Sequence, residues 1–136
     1  SPFVYGFLGD VNLFHGRAHA GEVDVHGIRI DSSGHGDVRD GKALAYVRPH
    51  DLSVEPYKAG ATGIVATLTR AIVVGPIARL ELEPLESNPD NPGAGTIIEA
   101  QIPAQQFRDL GMHEGDKVVA TPRKARVFVE EDWVSP

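Results

Sequence analysis

The sequence predicts an all-β fold, a small barrel built from two similar groups of strands. Three observations carry that expectation. Fifteen Gly and ten Pro in 136 residues favour short strands and turns over long helices. Apolar residues alternate with a period of two, as in Ile64, Ala66 and Leu68 and again in Ala78, Leu80 and Leu82. The stretches 41–54 and 115–129 also share one grammar: a Gly, a Lys, an apolar strand and then a Pro within a basic turn. At this length one domain with one core is expected.

The lead segment SPFVYGFLGDV departs from the alternation. Ser1 and Pro2 suit an N-cap and a first helical position. Phe3, Val4, Phe7, Leu8 and Val11 then recur at helical spacing, with Gly9 as a stop. Residues 1–11 are therefore expected to form a short helix, and 12–136 the barrel. A helix of about two turns has no stability alone and must dock on something.

From Asn12 the chain alternates. LFHGRAHAG and EVDVHGIRID read as two strands turning near Ala20-Gly21, with Val23, Val25, Ile28 and Ile30 as inward positions. Residues 31–41 form a polar, Gly-rich loop. KALAYV is a strand through Leu44, Tyr46 and Val47, stopped by Pro49; a turn and a short extended piece follow. GIVATLTRAIVVGPIARLELEPL gives two strands about a Gly75-Pro76 turn. Residues 86–95 are a protruding loop, and TIIEAQIP is another strand. Residues 103–110 form a short helix, opened by Pro103, anchored by Phe107 and Leu110, and closed by Gly111. One or two strands over 115–129 close the fold. Within the all-β class the pattern best suits a barrel of the oligonucleotide/oligosaccharide-binding (OB) type.

Composition excludes several function classes. A formal charge of −6 argues against a nucleic-acid partner, since phosphate contacts need clustered cations. The one basic cluster, PRKAR at 122–126, reads first as a strand edge with solvated cations. The absence of Cys removes disulfides, thiolate metal sites and Cys nucleophiles. No run approaches the ~18–20 apolar residues of a membrane span, so no direct membrane insertion is expected. The lead segment lacks the basic region of a signal peptide.

Motifs for catalysis are lacking as well. The Gly-rich stretches GHGDVRDG and GATGIVATLT fit neither a phosphate-binding loop nor a dinucleotide fingerprint. Ser32, Ser33, Ser53 and Ser87 lie in no nucleophile motif, and Glu130, Glu131 and Asp132 read as a solvated charge run. Of the six histidines, His15 and His19 would lie on one strand face about 13 Å apart, too far to chelate one ion. His26 and His113 read as surface residues, and His35 with Asp37 offers only weak ligation. No metal site is expected. Two binding candidates remain. The loop DSSGHG presents Ser32, Ser33 and Gly34 as material for an oxyanion nest, against an ordinary Ser turn. Arg48, followed by His50 and Asp51, is placed either to clamp a neighbouring chain or to hold its own domain together.

Three stretches resemble a known family. FVYGFLGDVNLFHGR is similar to the segment leaving the nucleotide-binding domain of bacterial ABC import ATPases. AYVRPHDLSV resembles a turn of the transport-associated (TOBE) barrel that follows it, and 115–128 carries the closing Gly-Asp-x-Val…Phe pattern. The VRPHD wording points to the sulfate-type branch. The resemblance implies a regulatory and dimerisation domain without catalytic residues, ATP and Mg being handled by a preceding domain to which residues 1–11 are the connector. It implies as partners that nucleotide-binding domain, a second copy of the ATPase subunit and, indirectly, the membrane permease subunits. The implied location is the cytoplasmic side of the inner membrane, and some relatives bind the transported solute, here an oxyanion. The alternative is a free-standing β-barrel module for a small ligand or a partner protein.

Overall fold

The computed structural model describes residues 11–19, 22–25, 28–31, 41–85 and 97–129. Within them the alternation becomes ten strands: β1 (Asn12–His19), β2 (Glu22–Val25), β3 (Ile28–Asp31), β4 (Gly41–Val47), β5 (Leu52–Pro56), β6 (Ile64–Val74), β7 (Ile77–Pro84), β8 (Ile98–Pro103), β9 (Lys117–Pro122) and β10 (Arg126–Val129). One helix, α1 (Ala104–Leu110), and a 3-10 turn (Pro49–Asp51) complete the described elements. The expected helix over residues 1–11, the 86–95 loop and Glu130, Glu131 and Asp132 lie outside the described residues, apart from Val11.

The strands form two antiparallel sheets of five, ordered β10-β4-β1-β2-β3 and β5-β9-β6-β7-β8. The two orders are one plan used twice. Three consecutive strands meander, a fourth returns to pair with the first, and a fifth lies outside the fourth. In each sheet that fifth strand comes from the other half of the chain. β4 of the first sheet runs through residues 48–51 into β5 of the second, and β9 of the second runs through 123–125 into β10 of the first. Since β4 pairs with β10 and β5 with β9, the two crossing arms travel side by side in opposite directions. The repeat seen between 41–54 and 115–129 is this pair of arms.

The second sheet curls until its edge strands β5 and β8 meet, and α1 bridges β8 to β9, the plan of an OB-type barrel. Alternation fills the interior. Leu52 and Val54, Ile64 to Leu68, Ala78 to Leu82, and Ile98 to Ile102 each turn every second side chain inward. Phe14, Ala43, Ala45 and Val47 of the first sheet join the same core, so the two sheets share one interior. Phe107 and Leu110 pack α1 against it. Gly111 ends the helix in the left-handed region at φ 67°, its N–H donating to the Arg108 carbonyl.

Two features differ from the sequence reading. EVDVHGIRID is two strands, not one, because the chain reverses between Val25 and Ile28, which face each other in register. The side chains of Val23, Val25, Ile28 and Ile30 lie outside the described set. β6 also carries a bulge between Leu68 and Arg70 that simple alternation could not express. The 113–116 turn braces it: Leu68 N–H donates to the Asp116 carbonyl, Gly115 N–H to the Leu68 carbonyl, and Ala71 N–H to Glu114 Oε2 at 2.9 Å.

Candidate functional site: the crossover between the sheets

Val47, the last residue of β4, is buried and pairs with Asn12 at the start of β1. Pro49 then ends the strand, since it has a fixed φ and no N–H to give the ladder. Its ring is buried, and the chain tightens into the 3-10 turn, with Asp51 N–H donating to the Arg48 carbonyl at 2.9 Å. The opposing arm locks this turn. Arg123 donates its backbone N–H to the Asp51 carbonyl and its guanidinium Nη2 to the His50 carbonyl, both at 2.7 Å. Beyond the turn, Ser53 Oγ donates to the Thr121 carbonyl at 3.3 Å.

A second clasp joins the sheets beside the crossover. Asn12 is 7% exposed, and its amide meets the backbone of Glu99 on β8 twice. Nδ2 donates to the Glu99 carbonyl at 2.7 Å, and Oδ1 accepts from the Glu99 N–H at 2.8 Å. One side chain thus satisfies two backbone groups of the other sheet. Asn12→Ala leaves both without that partner, and an unmet buried polar group costs about 1–3 kcal/mol. Thermal unfolding of Asn12→Ala is expected to show this loss; an unchanged midpoint would deny the clasp its role.

Charge gathers on the outside of the crossover. Arg48, His50, Arg123, Lys124 and Arg126 are exposed, and Asp51 is the one carboxylate within the two turns, 3.7 Å from His50 Nε2. Arg48, His50 and Asp51, singled out from the sequence, lie together in the 3-10 turn and its entry. Ser32, Ser33 and Gly34 lie outside the described residues. His15 and His19 share β1, and among the described residues no three His, Cys, Asp or Glu side chains cluster to hold a metal. Sequence reasoning missed Arg123 as the lock of the turn and Asn12 as a clasp. The repeat was the available signal for Arg123, because it placed the two basic turns in equivalent positions.

Comparison with known proteins agrees with this architecture. Residues 58–123 match the TOBE-like domain family, and residues 12–54 match the CysA C-terminal regulatory domain family. The sulfate/thiosulfate import ATP-binding protein CysA of Ralstonia nicotianae is 43% identical over 136 residues, covering 96% of this chain and 35% of the relative. The CysA of Bacillus cereus is 39% identical over 134 residues, covering 98% of this chain and 36% of the relative. The chain thus spans about a third of the length of the curated relatives it matches. Among solved structures, the cytoplasmic molybdate-binding protein ModG superposes with a TM-score of 0.62 at 15% identity, covering 87% of this chain and 95% of ModG, a likeness of fold. With both sheets matched, residues 12–54 belong to the CysA C-terminal regulatory domain family and residues 58–123 to the TOBE-like domain family.

Proposed function

We propose that this region works as the regulatory and dimerisation part of the ATP-binding subunit of a sulfate/thiosulfate ABC importer. One observation carries the reading: the likeness to CysA proteins runs along 96% of the chain, through both sheets and their crossover. The subunit couples ATP hydrolysis to anion uptake, and its ATP and Mg are held by a preceding nucleotide-binding domain. This region supplies no catalytic group. Its partners are that domain, a second copy of the subunit and, through them, the permease subunits at the cytoplasmic face of the inner membrane. The connector role of residues 1–11 belongs to the same proposal. In the full-length protein, removal of 12–136 is expected to leave ATP turnover while altering how turnover responds to the transported anion. Absence of ATP turnover from the intact subunit would sink the reading.

Anion sensing is a separable part of the proposal. Its support is that ModG, which shares the fold, binds molybdate. Calorimetric titration of the full-length subunit with sulfate, thiosulfate and molybdate tests it. Heat at millimolar anion, lost on changing Ser32, Ser33 and Gly34, supports the loop as the sensor; no heat with any of the three removes sensing from the proposal.

A further inference from the structure

We propose that the basic crossover docks against a carboxylate-bearing face of the ATP-binding region preceding this domain, so that the two sheets' junction is also the interdomain contact. The inference rests on the reading that such a region precedes this one.

Charge is the first argument. The whole chain carries −6, yet the two crossover turns bring Arg48, Arg123 and Lys124 together with a single carboxylate, Asp51. Arg126 is engaged within the fold. Arg48 and Lys124 make no ion pair among the described residues, and Arg123 spends Nη2 on the His50 carbonyl while keeping further donors outward. Exposed cations that outnumber the one carboxylate beside them among the described residues suit an acidic protein face more than a small anion, which needs donors converging in a pocket.

Position is the second argument. Asn12 pairs directly with Val47, and Val47 is followed by Arg48. Whatever enters this domain from upstream therefore arrives beside the cationic turn. Asn12 is also fixed from the other side by its two bonds to Glu99, so the entry point is held rather than free to swing. The relatives extend to about three times the matched length, and the matched family is a C-terminal domain, which puts the remaining chain upstream. A tethered partner reaches the crossover at high effective concentration, so a few solvent-facing ion pairs suffice.

The test uses the full-length subunit with Arg48→Glu and Lys124→Glu combined. Small-angle scattering and limited proteolysis between the two regions are followed from low to high salt. Wild type is expected to be closed at low salt and to open as salt screens the contact. The double variant is expected to be open at low salt, with interdomain cleavage on the order of tenfold faster. Lys58→Glu with Arg70→Glu, exposed cations away from the crossover, should behave as wild type. Equal opening in both double variants, or no opening in either, overturns the proposal. A crossover variant that loses self-association while each copy stays closed overturns it too, in favour of a second copy as the occupant. ATP turnover in the same samples separates outcomes: turnover without a crossover effect sinks this inference alone, whereas no turnover sinks the functional reading beneath it.

Discussion

Gly63→Ala is expected to lower stability by about 3 kcal/mol, the sum of backbone strain at a Gly-favoured φ and steric overlap with the neighbouring strand β9. Gly63 sits just before β6 with φ at 150°, where L side chains are disfavoured. An added Cβ would overlap Val119 Cγ1, lie 2.8 Å from Thr121 Oγ1 and come within 3.0 Å of the Ala120 carbonyl. That last atom is backbone of β9, the strand paired with β6, so the neighbour cannot simply rotate away. Gly60→Ala is the matched control. It shares positive φ, at 83°, but nothing lies within 4 Å of its added Cβ, so only the left-handed penalty of about 1–2 kcal/mol applies. Thermal or denaturant unfolding of the pair separates the effects. Equal losses in the two variants would mean that β9 does not press on Gly63.

A polypeptide of residues 58–123, the stretch matching the TOBE-like family, is expected not to fold by itself. It cuts into the second sheet, because it omits β5. β5 pairs with β9 over five positions, and it buries Leu52 and Val54 completely. Without it, β9 becomes an open edge and one wall of the core is missing. Restoring residues 48–57 in front should recover a cooperative transition by circular dichroism, since every strand of the second sheet is then present. A cooperative transition in 58–123 itself would show that β5 is dispensable.

Alternation made most of this fold legible. Ile64 to Leu68 and Ala78 to Leu82 face the core as their period of two requires, and Pro103 and Gly111 bracket α1 because their backbone demands are local. Local signals stop where partners are distant. The period of two is also present in β4, but the row that joins the shared core is Ala43, Ala45 and Val47, and small side chains give a weaker signal than Leu44 and the buried Tyr46 beside them. Nothing near Asn12 says that its amide meets Glu99, 87 positions away. The turn at Arg48, His50 and Asp51 stood out as a motif; the repeat pointed to an equivalent turn at Arg123, but that the two touch follows from the exchange of strands between sheets.

The exchange has a mechanical consequence. In a bead-like pair of barrels joined by one linker, a pull applied to one end peels the units apart, breaking hydrogen bonds one after another. Here two antiparallel arms cross the boundary together, and each is bonded to the other on both sides of it. Separating the halves would load those ladders lengthwise, so that many bonds must yield at once. A displacement imposed on one half is therefore delivered to the other nearly undiminished, as through a strut rather than a string.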